Sequence, residues 1–183
     1  MTWNDELDEL RLRTSLAEAM GGEEKVARQH EFGKLTIRER IDEIADDHSF
    51  HEIGKLAGVG QYNNQGELEL VTPSNFVFGS AKLDGRSVFL SGDDFTVRGG
   101  SADASIAAKR LHAEGLALEL RRPHIRLVDG MGGGGSVKTI EMAGRTYIPR
   151  VAGWETIVQH LSVAPSVSLA LGSVAGKIGR AHV

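Results

Sequence analysis

A run of glycines beside an apolar stretch is the part of this sequence best suited to chemistry. Five of the six positions from Gly130 to Gly135 are glycine, and the run follows Ile125–Val128, which predicts a short buried strand. Ser136 and Thr139 then open a segment that suits a helix. A strand leading through glycine into a helix presents bare backbone N–H groups, which bind anions or stabilise a developing oxyanion. The alternative is a flexible linker, since many glycine-rich stretches are linkers.

A second strand also ends in glycine. The segment from Pro165 to Gly172 predicts a strand, and further glycine and alanine follow at 172–176. In α/β folds, ligands lie at the carboxyl edge of the sheet. We therefore expect the segments near 130–135 and 172–176 to converge on one site.

The first third of the chain predicts helices. Residues 4–31 are helical in pattern, with a break at Gly21–Gly22. Thr36 is a candidate N-cap with Glu39 three residues on, the capping-box spacing, and isoleucines at 37, 41 and 44 form an apolar stripe. Residues 58–74 are polar and contain glycine, so they predict a loop.

The middle of the chain predicts a hairpin followed by helix and strand in alternation. Phe76–Leu83 and Arg86–Gly92 alternate in polarity around Asp84-Gly85, a strong hairpin turn signal. Ser101–Arg122 is the clearest helix, with Lys109 and Arg110 expected to face water, and a further helix is predicted over 154–163.

Bulk composition excludes several classes of protein. The 183 residues are 40% hydrophobic and 25% charged, which is ordinary for one globular domain. A net charge of −4 gives no broad basic surface for nucleic acid, and the absence of cysteine excludes disulfides and thiolate metal sites. No apolar run reaches ~18 residues, so no membrane span is expected, and a cytoplasmic location follows by default.

Other possible motifs carry less weight. Gly172–Lys177 has one residue too few for a P-loop, and no Ser or Thr follows the lysine. His48 and His51 lie three apart without a carboxylate partner, so no metal site is predicted. Asp93-Asp94 suits an acid/base pair, although a solvated or capping role is favoured because turns use aspartate in that way.

Four segments together resemble one known family. The sequence is similar to the carboxyltransferase subunits of biotin-dependent acyl-CoA carboxylases, whose motifs are GKLTARERI, DFTVxGGS, PxIxLxD and PxISxxxGxxAG. Order and spacing agree from about Leu10 to Gly176. The matching segments here are Gly33–Ile41, Asp94–Ser101, Pro123–Asp129 and Pro165–Gly176.

The resemblance implies a fold and a reaction. The fold would be α/β, the N-terminal half of the crotonase-like (ClpP/crotonase) ββα superhelix, with an acyl-CoA bound in it. The reaction would move CO2 from carboxybiotin to the α-carbon of the acyl-CoA, through an enolate held by backbone N–H groups. No covalently bound cofactor and no metal is implied; carboxybiotin would arrive on a biotin carboxylase or biotin carrier subunit, and the full-length form would be a homo-oligomer.

The resemblance also assigns candidate site residues. The backbone N–H groups of Gly132, Gly133 and Gly134 and those of Ala175 and Gly176 would be the oxyanion donors and should face one cleft. One departure is clear: the family carries Asp-Ser-Gly-Gly-Ala-Arg where this chain has a glycine run without the arginine. The candidate acyl-CoA contacts are Lys34, Arg38, Arg40, Gly99 and Gly100. For the three cations, a solvated helix face is the alternative.

The same resemblance suggests boundaries. We expect an N-terminal helical segment at 1–57, the carboxyltransferase N-terminal domain at 58–176, and an artefactual tail at 177–183. The last six residues, Ile178–Val183, resemble a translated sequencing-adapter read-through, and a natural terminus is the alternative. A tail of that kind should pack poorly, and the 183 residues alone should be inactive.

Two other functions remain open from the sequence. A biotin-dependent acyl-CoA decarboxylase subunit would use the same fold and oxyanion chemistry in reverse. A non-catalytic acyl-CoA-binding or assembly protein is also possible, because the usual Asp-Ser-Gly-Gly-Ala-Arg loop is replaced.

Overall fold

The computed structural model describes residues 3–101, 106–130, 141, 144 and 153–174. Three N-terminal helices are followed by five consecutive strands, and helix and strand then alternate; within these ranges a single 3-10 turn lies at Arg98–Gly100. The helices are α1 (Asn4–Glu18), α2 (Glu23–Glu31), α3 (Ile37–Ile44), α4 (Ala107–Glu119) and α5 (Trp154–Leu161). The strands are β1 (His51–Glu52), β2 (Gly58–Tyr62), β3 (Leu68–Pro73), β4 (Phe76–Leu83), β5 (Arg86–Asp93), β6 (His124–Gly130) and β7 (Ser166–Val174).

The main sheet is mixed, with strand order β1-β4-β5-β6-β7. Strand β4 pairs antiparallel with β1 and β5, whereas β5, β6 and β7 run parallel. Helix α4 connects β5 to β6, and α5 precedes β7. The three parallel strands therefore end at the same edge of the sheet.

The predicted hairpin is confirmed. Strands β4 and β5 pair in register from Phe76↔Asp93 to Leu83↔Arg86. Asp84 and Gly85 both have positive φ, 49° and 76°, as a type I′ turn requires. The Asp46 carboxylate accepts a 2.8 Å hydrogen bond from each of their backbone N–H groups, which ties the turn to the end of α3.

The loop predicted for residues 58–74 is wrong. The segment forms a separate two-stranded antiparallel sheet, β2 with β3. The strand signal was present, because Leu68 and Leu70 alternate with Glu67 and Glu69, but the abundance of polar residues hid it. Most of this hairpin is exposed, so burial does not enforce its pattern.

Each face of the main sheet packs on one helix. Val77, Leu90 and Leu127 point to one face and pack on Ile37 and Ile41 of α3. Phe76, Phe78 and Phe89 point to the other face and pack on Ala113 and Ala117 of α4. Because β4 and β5 are buried on both faces, their middle residues are apolar almost without interruption.

Helix α3 begins as predicted. The Thr36 hydroxyl accepts from the Glu39 N–H, and the Glu39 carboxylate accepts from the Thr36 N–H at 2.7 Å, which completes a capping box. The helix then lies so close to the sheet that a Cβ atom on Gly92 would be 2.0 Å from Ile37 Cδ1. The absence of a side chain at Gly92 allows this approach.

The exposed position predicted for Lys109 is wrong. Only 8% of Lys109 is exposed, because the buried side of α4 includes Lys109, Ala113 and Ala117, while Leu111 is exposed. Its ammonium pairs with Glu52, so the buried charge has a partner. Within the described ranges, no helix is long and apolar enough to cross a membrane.

Candidate functional site

The carboxyl ends of β5, β6 and β7 lie side by side. Gly92 of β5 pairs with Leu127 of β6, and Leu127 pairs in turn with Leu169 of β7. Further along, Gly130 is in register with Val174. The two glycine-bearing segments predicted to converge therefore leave the sheet from neighbouring strand ends at one edge.

The predicted oxyanion donors follow these strand ends. Gly132, Gly133, Gly134, Ala175 and Gly176 lie outside the described residues, as do the tail residues 177–183. The role of each stays a prediction. The described residues include the ends of the two strands, Gly130 of β6 and Val174 of β7, which precede these segments.

A buried carboxylate lies at the end of β6. Asp129 is fully buried, and its Oδ2 accepts a 2.7 Å hydrogen bond from the guanidinium of Arg40 on α3. The ammonium of Lys34 lies 3.7 Å from Oδ1 and 5.3 Å from the centre of the Phe95 ring. Two cations thus surround one anion, and the side chain of Lys34 is 31% exposed whereas that of Arg40 is 9% exposed.

The glycine turn predicted as an acyl-CoA contact packs directly on this strand end. Gly99 and Gly100 have φ of 62° and 65°. A Cβ atom on Gly100 would lie 2.6 Å from the carbonyl oxygen of Asp129, and one on Gly130 would lie 2.7 Å from the carbonyl oxygen of Gly99. The turn and the end of β6 therefore touch backbone to backbone.

The third predicted cation lies in a different network. Arg38 donates a 2.8 Å hydrogen bond to Glu52, whose other oxygen accepts from Lys109 at 3.4 Å. Burial lowers the pKa of Lys109, and the nearby Glu52 carboxylate opposes that shift. Of the three cations, Lys34 and Arg40 lie at Asp129, beside the glycine turn, whereas Arg38 pairs with Glu52 on β1.

Of the solvated or capping role favoured for Asp93-Asp94, the solvated part is wrong, because both residues are buried. Asp93 accepts a 2.6 Å hydrogen bond from Arg110, which also lies over the Phe76 ring. Asp94 has the alternative capping role: it accepts from the N–H of Thr96 at 2.9 Å. Burial raises the pKa of Asp94, and the hydrogen bonds from Thr96 oppose it.

A second buried polar cluster fills the space between β5, β6 and α4. His124 Nε2 lies 2.8 Å from Ser91 Oγ, and its Nδ1 lies 3.6 Å from Glu114. Arg126 donates a hydrogen bond to the same carboxylate. Burial would raise the pKa of Glu114, but His124 and Arg126 outweigh it and lower the pKa to about 2. All four side chains lie within the core, so the cluster holds elements together.

Sequence reasoning missed Asp129 as an individual residue. A usable signal existed: an aspartate that closes an apolar strand must find a partner, since an unpaired buried charge is costly. The partner itself, 89 residues earlier, is visible only in the fold. Across the described ranges, no three metal-ligating side chains come together.

The order of the strands and the fold of the related structures define the class of protein. This is a mixed α/β protein of the crotonase-like fold, and its candidate site is the edge where β5, β6 and β7 end beside the glycine turn. The carboxyl transferase domain family matches residues 28–178, and the chain belongs to this family.

Individual relatives agree with this membership. The carboxyltransferase subunit of propionyl-CoA carboxylase from Haloferax mediterranei is 37% identical over 132 residues, which are 72% of this chain and 26% of the relative. Methylmalonyl-CoA decarboxylase subunit alpha from Veillonella parvula is 30% identical over 179 residues, which are 96% of this chain and 33% of the relative. The chain thus spans about a quarter to a third of these relatives.

Solved structures show the same fold. A crystal structure of transcarboxylase 12S, with methylmalonyl-coenzyme A and methylmalonic acid bound, superposes with a TM-score of 0.69 at 26% identity. The match covers 96% of this chain and 33% of that one. A single-chain, multi-domain long-chain acyl-CoA carboxylase matches with a TM-score of 0.64 at 26% identity, over 89% of this chain and 17% of that one.

Proposed function

We propose that the chain forms the acyl-CoA-binding part of a carboxyltransferase, which moves CO2 from carboxybiotin to the α-carbon of an acyl-CoA. The observation that carries this proposal is the common edge of β5, β6 and β7, where two glycine-bearing segments leave neighbouring strands. Membership of the carboxyl transferase domain family supports it. We propose a short-chain acyl-CoA as the substrate class, which the names of the propionyl-CoA and methylmalonyl-CoA relatives support.

The chemistry requires donors for a developing negative charge. Removing the α-proton of a thioester, which would pass to the biotin nitrogen that gives up CO2, places charge on the thioester oxygen. Preorganised backbone N–H groups stabilise that charge without a protein nucleophile. We assign this role to the N–H groups of residues 132–134 and 175–176. Because these segments lack bulky side chains, a thioester and a biotin urea ring can both approach the backbone closely.

The described cations differ in their suitability for the CoA moiety. Lys34 is partly exposed and retains a surplus positive charge, since Arg40 already neutralises Asp129. Arg38 and Arg40 each donate to a carboxylate. We therefore assign the anionic contact to Lys34, and the close packing of the turn at Gly99–Gly100 to shaping the same edge.

The partner follows from the reaction. Carboxybiotin is carried on a separate biotin carboxylase or biotin carrier subunit, and we propose a homo-oligomer for the full-length form. The transcarboxylase 12S structure is described as a hexamer in a multienzyme core, which supports such an assembly.

Calorimetric titration of the 183-residue chain with propionyl-CoA tests the binding role. Replacing Lys34 by alanine should weaken binding about tenfold, the cost of a lost charged contact. Lys55→Ala is the matched control, because that lysine is about equally exposed, at 32%, and likewise pairs with one carboxylate, that of Glu18 on α1. Wild-type affinity in Lys34→Ala, or equal losses in both variants, would remove Lys34 from the site.

A decarboxylase subunit is a second candidate, favoured by the methylmalonyl-CoA decarboxylase relative that matches 96% of this chain. It would run the same transfer in the opposite direction, so acyl-CoA binding does not separate the two. Purification of the native complex does: a biotin carboxylase partner supports the carboxylase, and a membrane sodium-pump partner supports the decarboxylase.

A further inference from the structure

Three elements of the candidate site meet at the carboxylate of Asp129. Arg40 holds it from α3, Lys34 approaches it from the segment before α3, and Gly172 faces it from β7. The residue itself ends the apolar part of β6, one position before Gly130. Its carboxylate therefore lies between the two strands from which the proposed donors start.

The contact with β7 leaves no room for a side chain. A Cβ atom on Gly172 would lie 1.9 Å from Asp129 Oδ1, 2.5 Å from its Cγ and 2.8 Å from Lys34 Nζ. Oδ1 itself accepts no hydrogen bond from any described residue and has Lys34 at 3.7 Å as its cation. The carboxylate is thus tightly packed against the backbone of β7 on one side and bonded to α3 on the other.

The backbone of Asp129 is equally constrained. Its carbonyl oxygen would lie 2.6 Å from a Cβ atom on Gly100, so the 3-10 turn at 98–100 packs against the same residue. A shift of Asp129 would therefore move the end of β6, press on β7 and disturb the turn together.

We propose that Asp129 is a positioning residue, whose buried carboxylate between Arg40, Lys34 and Gly172 sets the strand ends that carry the anion-binding backbone. This role rests on the proposed function, because the backbone that it positions is that of the proposed acyl-CoA site. Asp129 acts through the backbone and makes no contact with the substrate. Arg40, which holds the Asp129 carboxylate, is then also a positioning residue and not a contact of CoA.

Glu52 provides a matched control for this proposal. Like Asp129, it is a carboxylate with a buried side chain and two cationic partners, Arg38 and Lys109. It lies on β1, at the other end of the strand order from β7. Asp129→Asn and Glu52→Gln each remove one buried charge while keeping size, so a purely structural role predicts similar effects from both.

Backbone amide spectra of the 183-residue chain, labelled with ¹⁵N at its 23 glycines, test the proposal without any ligand. Asp129→Asn should shift the amide signals of Gly100, Gly130 and Gly172 and of the run at 132–135. Glu52→Gln should leave those signals in place and shift that of Gly54. Unmoved signals at 130–135 and 172 in Asp129→Asn would overturn the proposal.

Arg40→Lys covers the case in which Asp129→Asn does not fold. It keeps the positive charge but loses the guanidinium geometry, so it should produce smaller shifts of the same glycines. If Arg40→Lys folds and leaves those glycines unshifted, the proposal also fails.

Titration with propionyl-CoA then links position to function. Asp129→Asn should raise the dissociation constant about tenfold, as expected when a backbone hydrogen bond is misplaced, while Glu52→Gln changes it less than about twofold. Equal effects of the two variants would contradict positioning. If the wild-type chain binds no propionyl-CoA, the proposed function fails, and the glycine spectra still decide the role of Asp129.

Discussion

At the scale of residues, the buried charges of this protein occur in groups that join elements far apart in sequence. Arg40 and Asp129 connect α3 to β6, and Glu114 connects α4 to His124 and Arg126 on β6. Removing one member of such a group leaves the other charge buried and uncompensated, which typically costs about 3–5 kcal/mol. These contacts therefore hold elements that are distant in sequence in a fixed arrangement.

Glu114 makes the stability depend on acid pH. Its pKa is about 2 in the folded chain, against an ordinary value of 4.5, so the folded state favours the charged form. The resulting stabilisation, about 3 kcal/mol, is complete above pH 4.5 and is lost as the pH falls through 2. Urea unfolding measured across this range should show a steeper loss of stability in the wild-type chain than in Glu114→Gln.

Glu119→Gln is the control for that experiment, because Glu119 is exposed on the same helix. Its curve should keep the wild-type slope between pH 4.5 and 2. Parallel curves for wild type and Glu114→Gln would show that Glu114 is not held in its charged form.

His124 also makes the stability depend on pH, in a higher range. Burial lowers the pKa of His124, and Glu114 opposes this shift, so the stability also falls as the pH drops below 6.5.

At the scale of elements, local signals predicted what local physics determines. The hairpin at Asp84-Gly85 and the capping box at Thr36 and Glu39 were both confirmed, since each depends on residues within a few positions. The exposure of Lys109 was predicted wrongly, because its ammonium pairs with Glu52, 57 residues away. Contacts of this kind are set by tertiary packing and have no periodic signal.

The cap of α3 should be measurable on its own. Thr36→Ala removes the oxygen that accepts from the Glu39 N–H, and we expect it to lower the free energy of unfolding by about 1 kcal/mol. Thr36→Ser retains that oxygen and should lose only a fraction of this amount. Equal losses in the two variants, measured by urea unfolding, would show that packing of the Thr36 methyl group and not the cap is responsible.

Two glycines should respond in opposite directions to the same substitution. Gly92→Ala places a methyl group against Ile37 and should destabilise the chain by about 1–3 kcal/mol. Gly115→Ala on α4 meets open space and should stabilise it by about 0.5–1 kcal/mol.

A double variant identifies the clash behind the Gly92 effect. Ile37→Val removes the nearest atom, Cδ1, so it should cost less in the Gly92→Ala background than in the wild-type chain. Strictly additive costs in thermal unfolding would contradict the close approach of α3 to β5.

At the scale of the whole molecule, the fold explains how the candidate site is built. Three parallel strands deliver glycine-bearing segments to one edge, and the N-terminal helical segment supplies the cations Lys34 and Arg40 there. From strand ends and family motifs, the sequence predicted that these strands end at one edge; the convergence of residues 132–134 and 175–176 on one site stays a prediction. It could not predict which cation remains exposed, because that depends on the 3.7 Å and 2.7 Å contacts to Asp129.

The most direct test is a titration of the uniformly ¹⁵N-labelled 183-residue chain with propionyl-CoA, followed by amide chemical shifts. Binding at the common edge should shift amides of residues 98–100, 129–135 and 172–176, and leave β2 and β3 unchanged. Coenzyme A without the acyl group should shift fewer amides in 129–135 and 172–176. An unchanged spectrum at millimolar propionyl-CoA, or shifts confined to β2, β3 and α1, would contradict an acyl-CoA site at these strand ends.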